Sequence, residues 1–157
     1  MSHEVSINQK MREKELTLAT AESCTGGAIA ARLTKVPDTS MYFLGSVVSY
    51  SNSMKEEVLH IPHTLIVKHG AVSPEIVRAM WEGILSLTGS DYAIAVTGIA
   101  GPTGGTPEKP VGTIWAAVGK RGEEPYIWNV KAEGDRETII EATVDAVLNQ
   151  LVEKLDI

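Results

Sequence analysis

Ser23 and Cys24 stand where a nucleophile would be presented: they follow the apolar run Leu16-Thr17-Leu18-Ala19-Thr20-Ala21 and precede Thr25-Gly26-Gly27 and a small, apolar helical segment. A strand running into a tight turn and then a helix sets a hydroxyl beside the first N–H groups of that helix, which have no intrahelical partners. The hydroxyl can attack a carbonyl, and amides around Cys24 to Gly26 can hold the oxyanion that forms. Ser, Thr and Gly ahead of an apolar helix also satisfy ordinary N-capping. Two glycines in succession favour a site, since Gly in a first turn weakens a helix by about 0.5 to 1 kcal/mol relative to Ala and is best understood where another molecule approaches the backbone. Cys24 rivals Ser23, because a thiol at a helix N-terminus is expected to ionise more easily and is the better intrinsic nucleophile.

A hydroxyl needs a base. The four histidines, His3, His60, His63 and His69, lie in segments that do not return to the end of a buried strand, which argues against a serine-histidine-aspartate arrangement. Lys55, in Tyr50-Ser51-Asn52-Ser53-Met54-Lys55, is the alternative. It qualifies if burial and a helix N-terminus lower its pKa enough to give a neutral amine. An isolated lysine is more often a solvated surface residue. The loop Thr97-Gly98-Ile99-Ala100-Gly101-Pro102-Thr103-Gly104-Gly105 offers a backbone nest for an anion, although its glycine spacing fits neither the P-loop nor the dinucleotide fingerprint. Arg136, in the first turn of the last helix, opposes the helix dipole unless an anion or a neighbouring Asp135 or Glu137 holds it. His60 and His63 lack nearby acidic or cysteine ligands, so no metal is expected.

The elements that must position these residues alternate between strand and helix. Periodicity predicts helices over Val5 to Lys14, Gly27 to Leu33, Ser53 to Leu59, Pro74 to Leu87 and Asp135 to Leu155. Asn52 or Ser53 would cap the third, with Glu56 as reciprocal partner of Ser53, and Ser73 would cap the fourth. Strands are expected over Leu16 to Ala21, Tyr42 to Tyr50 with a bulge at Gly45, and Asp91 to Val96. Val111 to Val118 and Tyr126 to Val130 would form an antiparallel hairpin turning at Gly119 to Gly122, and His60 to Gly70 reads as loop. The pattern predicts an α/β layered sandwich, a mixed sheet covered by helices, with Trp81 in its core. At 157 residues it is expected to be one domain over 1–157. A net charge of −6 without a basic cluster argues against nucleic acid as a partner. A single cysteine, no signal-like start and no long apolar run point away from disulfides and membranes and toward the cytoplasm.

Taken in order, Ala21-Glu22-Ser23-Cys24-Thr25-Gly26-Gly27, Tyr50-Ser51-Asn52 with Lys55, Gly70-Ala71-Val72-Ser73, Ala95 to Pro102 and Lys109-Pro110-Val111-Gly112-Thr113 resemble the C-terminal domain of the CinA family, including its free-standing PncC-type members. The resemblance runs from Val5 to Leu155. It implies a nicotinamide-nucleotide amidohydrolase in pyridine-nucleotide recycling, with no cofactor and no metal, and a homo-oligomer as the assembly. The family's nucleophile falls on Ser23 and its supporting residues on Tyr50 and Lys55. Its nucleotide pocket falls on Thr97, Gly98, Gly101, Thr103, Gly104 and Gly105, on Gly112 and Thr113, and on Arg136, beside the turn residues Cys24, Thr25, Gly26 and Gly27. The competing expectation is a pyridine-nucleotide sensor or interaction module that binds without hydrolysis. The residues Ser53-Met54 ahead of Lys55 are less polar than the resemblance leads one to expect.

Overall fold

The computed structural model describes residues 1–156. Five strands form one mixed sheet in the order β2-β1-β3-β4-β5: β1 (Leu18–Glu22), β2 (Phe43–Val48), β3 (Tyr92–Gly98), β4 (Ile114–Lys120) and β5 (Tyr126–Asn129). Strand β1 runs parallel to both neighbours, and β4 and β5 add antiparallel at one edge as the expected hairpin, turning over Arg121 to Pro125 rather than at Gly119. Six α-helices among the described residues, α1 (His3–Glu13), α2 (Ala28–Thr34), α3 (Asn52–Glu57), α4 (His63–His69), α5 (Pro74–Thr88) and α6 (Arg136–Leu155), surround the sheet, with a short 3-10 helix at Thr39–Met41 leading into β2. The α/β layered sandwich expected from the sequence is the fold observed.

Two apolar cores lie on opposite faces. On one, Ile7 and Met11 of α1, Ile29 and Leu33 of α2 and Val144, Val147, Leu148 and Leu151 of α6 pack on Leu18, Ile94, Val96 and Ile114. On the other, Ile76, Met80, Trp81 and Ile84 of α5 pack on the small side chains of Ala19, Ala21, Ala93, Ala95 and Ala117. Each fully buried aliphatic contributes about 1.5 to 3 kcal/mol. The period-2 alternation of β1 thus sends Ala19 and Ala21 to α5, and puts Leu18, Thr20 and Glu22 on the α2 face.

Ser73 caps α5 by accepting from the Ile76 N–H, with Pro74 in the first turn. The register between β1 and β2 shifts where Gly45 was expected to bulge. Three expectations give way. The segment expected as loop contains α4, whose Ile66 packs into the α5 core, so tertiary burial stabilises a helix too short to be read from its period. Ser51, not Asn52 or Ser53, caps α3 by accepting from the Met54 N–H, and Glu56 pairs with His63 instead of Ser53. Val5 is exposed, leaving Ile7, Asn8 and Met11 as the buried face of α1.

The parallel strands β2, β1 and β3 deliver their carboxyl ends to one edge of the sheet. The connection from β1 to β2 carries α2 on one face, while that from β2 to β3 carries α5 on the other. The crevice at such a reversal is where open α/β sheets bind ligands.

Candidate active site

Ser23 follows β1 directly and Lys55 lies in α3, the helix after β2. The Lys55 Nζ donates to Ser23 Oγ at 3.0 Å and to the Ser49 carbonyl at 2.7 Å. Ser49, fully buried, donates its own N–H to the Glu22 carbonyl at 2.8 Å. Glu22, Ser49, Lys55 and Ser23 therefore form one hydrogen-bonded chain across the ends of two adjacent strands. Lys55 is only 1% exposed and forms no ion pair among the described residues. Desolvation lowers its pKa below the ordinary lysine value. The helix dipole expected to assist is not the cause, since Lys55 sits in the last turn of the six-residue α3.

Cys24 behaves oppositely to expectation. Its side chain joins the apolar core, and burial pushes the thiol up to about 12, so it stays protonated at neutral pH. Cys24→Ala keeps the backbone N–H and is expected to hold turnover within about tenfold of wild type, with iodoacetamide alkylating the wild-type thiol far more slowly than a free one at pH 8.

Tyr50 is 60% exposed, and its hydroxyl accepts from Arg136 Nη2 at 2.9 Å rather than joining Ser23 or Lys55. The lysine thus meets the serine directly. Arg136 also donates through Nη1 to the Gly101 carbonyl at 2.8 Å and forms no ion pair with Asp135 or Glu137. Asp135 instead caps α6 by accepting from Thr138. The rigid Arg136 guanidinium is held at the rim with further N–H donors free for an anion.

Ser23, Tyr50, Lys55 and Arg136 line a cleft of about 300 Å³ together with Cys24, Asn52, Ala71, Val72, Thr97, Gly98, Gly101, Thr103 and Gly104. Lys55 and Arg136 are its basic residues, Arg136 carrying a fixed positive charge, and no carboxylate lines it. In a protein of net charge −6 this is a local cationic pocket suited to an anionic ligand. Thr97 contributes position: its hydroxyl donates to the Ala71 carbonyl at 2.8 Å, tying the loop before α5 to the end of β3.

Several residues singled out in the sequence lie outside this cleft. Gly26 and Gly27 take φ of 60° and 100°, so their glycine character answers a left-handed turn rather than the approach of another molecule. Thr25 turns its hydroxyl away to Glu22 at 2.7 Å. Gly105 packs on Val111, and a Cβ at Gly112 would lie 1.9 Å from the Ala132 carbonyl, which makes both glycines structural. Gly112 and Thr113 border a separate cleft of about 730 Å³ that shares Val72 with the first and contains neither Ser23 nor Lys55.

The amides after Ser23 are also mostly occupied. Gly26 N–H donates to the Ser23 carbonyl and Ala28 N–H to the Thr25 carbonyl, while those of Gly27, Ile29 and Ala30 go to the Glu22 carboxylate. Among the hydrogen bonds of the described residues none uses the N–H of Cys24 or Thr25, and only Cys24 of the two borders the cleft. Glu22 and Ser49 were not foreseen as site residues. The available signal was a carboxylate closing an otherwise apolar strand.

Fold and site together define an α/β domain with a buried serine-lysine pair in a cationic cleft at the carboxyl ends of parallel strands. The chain belongs to the CinA C-terminal domain family, which matches residues 1–155. A CinA-like protein of Desulfotalea psychrophila is 49% identical over 145 residues, 92% of this chain and 35% of that protein. One from Citrifermentans bemidjiense is 50% identical over 141 residues, 90% of this chain and 34% of that protein. The chain thus spans about a third of the length of the curated relatives it matches. The crystal structure of the competence damage-inducible protein A from Klebsiella pneumoniae superposes with a TM-score of 0.94 at 38% identity, covering 98% of this chain and 95% of that one. The competence/damage inducible protein CihA from Agrobacterium tumefaciens gives 0.94 at 34%, covering 99% and 94%. No helix among the described residues is long and apolar enough to cross a membrane.

Proposed function

We propose that this chain hydrolyses the carboxamide of nicotinamide mononucleotide, giving nicotinate mononucleotide and ammonia. The observation that carries the proposal is the 3.0 Å contact between Ser23 Oγ and the buried, desolvated Lys55 Nζ. With Lys55 neutral, Ser23 donates the shared proton to it and its oxygen bonds to the carboxamide carbon, whose π electrons move onto oxygen. The Cys24 N–H is the free turn amide at the cleft for that oxyanion; a donor of this kind is worth about 3 to 4 kcal/mol. Collapse breaks the C–N bond, and ammonia leaves with the proton held by Lys55. Water then attacks the acyl-Ser23 ester, Lys55 takes its proton, and the proton returns to Ser23 as the carboxylic acid departs. The pyridinium ring already withdraws electrons from the carbonyl, so no step calls for a metal.

Arg136, the cation at the rim of the cleft, suits the 5′-phosphate. Arg136→Ala is expected to raise KM for the mononucleotide by about 10- to 100-fold, the range of a lost charge-assisted hydrogen bond. The same substitution should hardly change KM for the riboside lacking the phosphate. Equal losses on both substrates would remove Arg136 from phosphate binding.

Ammonia release from nicotinamide mononucleotide by the purified protein, with and without a chelator, tests the activity. Turnover that survives chelation supports it. A folded protein that binds the nucleotide and releases no ammonia is a binding module instead.

A further inference from the structure

Glu22 is fully buried, borders no solvent and is not used by the chemistry above, yet it is among the most heavily hydrogen-bonded side chains in the molecule. Its Oε1 accepts from Thr25 Oγ1 at 2.7 Å, Ile29 N–H at 3.0 Å and Gly27 N–H at 3.2 Å. Its Oε2 accepts from Ala30 N–H at 3.0 Å, Ser46 Oγ at 3.1 Å and Thr20 Oγ1 at 3.5 Å. Three of these donors are backbone amides of the turn and first helical residues after the nucleophile, and one reaches across from β2. Meanwhile the Glu22 backbone carbonyl holds Ser49, whose own carbonyl holds Lys55. One residue thus grips the nucleophile's turn with its side chain and the base's anchor with its backbone.

We infer that Glu22 is the positioning residue of this site: its carboxylate takes up the amides of Gly27, Ile29 and Ala30, and so fixes the turn in which Ser23 faces Lys55 and the Cys24 N–H is left for the oxyanion. The chemistry of the carboxylate explains the choice of residue. It accepts from several donors at once and offers no hydrogen of its own. A glutamine would turn an NH₂ toward the N–H of Ala30 or of Gly27 and Ile29, opposing donor to donor. An aspartate, one methylene shorter, cannot reach both sets. A buried carboxylate with these partners is also costly to leave unpaired, so the turn and the side chain hold each other in place. The inference rests on the serine-lysine reading of the cleft, though not on its substrate.

The test compares wild type with Glu22→Gln, Glu22→Asp and the milder Ser46→Ala, which deletes one donor to Oε2 and touches neither Ser23 nor Lys55. Two readouts are used, each at a temperature where circular dichroism shows every variant folded. The first is steady-state kinetics on nicotinamide mononucleotide. The second is the rate at which a fluorophosphonate probe phosphonylates Ser23, the Oγ–P bond forming as fluoride leaves. We expect Glu22→Gln to lose about 100-fold in kcat and in labelling rate with KM within threefold of wild type, no rescue by Glu22→Asp, and a loss of three- to tenfold for Ser46→Ala. A folded Glu22→Gln or Ser46→Ala protein with wild-type kcat and labelling rate would overturn the inference, as would losses that merely follow the fraction unfolded. If Glu22→Gln does not fold, Ser46→Ala alone decides. Wild-type labelling at Ser23 without ammonia release would remove the proposed substrate and leave the role of Glu22 standing on the labelling rates. Absence of both would remove the nucleophile assignment and the inference together.

Discussion

Ser23→Ala is expected to lower kcat for ammonia release by at least about 10⁴-fold, to background, because Ser23 Oγ is the side-chain hydroxyl that Lys55 contacts and its loss removes the activated nucleophile. Cys24 cannot substitute: its thiol belongs to the core and is held protonated, with a pKa pushed up to about 12. The loss should fall on kcat alone. Arg136, Tyr50 and the Thr97 to Gly104 wall are untouched, so calorimetry should find the mononucleotide bound about as tightly as wild type binds it. Mass spectrometry of quenched wild-type reactions should show an acyl adduct on the Ser23 peptide that the variant lacks. An active Ser23→Ala protein would end the serine mechanism.

Lys55→Met is expected to reduce kcat by about 10²- to 10⁴-fold, the range for removing a general base, and to remove the part of the folded protein's stability that varies with the protonation of this amine. The two effects share one cause. Lys55 is buried with a serine hydroxyl and a peptide carbonyl as its hydrogen-bond partners and no carboxylate to balance its charge. A methionine of similar shape removes the buried amine and its titration, while the Ser49 carbonyl loses its donor at a cost of about 1 to 3 kcal/mol, so the difference in stability from wild type should narrow as pH falls.

The pH dependence follows from the same desolvation. Burial lowers the folded-state pKa of Lys55 while the unfolded chain keeps the ordinary value. Between those two values the unfolded state binds the extra proton, so wild-type stability rises with pH across that window. Below the folded-state value the protein carries the full burden of a buried ammonium. Catalysis has the same sign: kcat/KM should rise with pH as Lys55 loses its proton, with a midpoint below that of ordinary lysine. In Lys55→Met both the rising limb and the stability increment should disappear. A Lys55→Met protein whose residual activity keeps the wild-type limb would assign that titration to another group.

The layers and most of the elements were legible because each carries a local signal. Ile76, Met80, Trp81 and Ile84 repeat at helical spacing behind the cap Ser73, and the apolar run from Tyr92 to Val96 has the length of a buried strand. Ser23, Lys55 and Arg136 were likewise visible as residues whose chemistry was unusual for their surroundings. Helix α4 was not, since seven residues give too short a period, and its stability comes from Ile66 docking beside α5.

The sequence by itself determined that a hydroxyl sits at a strand-turn-helix junction, that a lysine follows the next strand, and that no histidine is suitably placed to serve. Those are properties of residue order. Only the tertiary structure decided that the Lys55 amine reaches Ser23 directly while Tyr50 turns outward to Arg136, that Cys24 is sunk into the core, and that Glu22 consumes the amides of Gly27, Ile29 and Ala30. The Lys55–Ser23 contact depends on parallel pairing of β1 with β2, which sets residues 32 positions apart side by side. Burial moves the lysine and cysteine pKa values in directions that their local sequence does not encode.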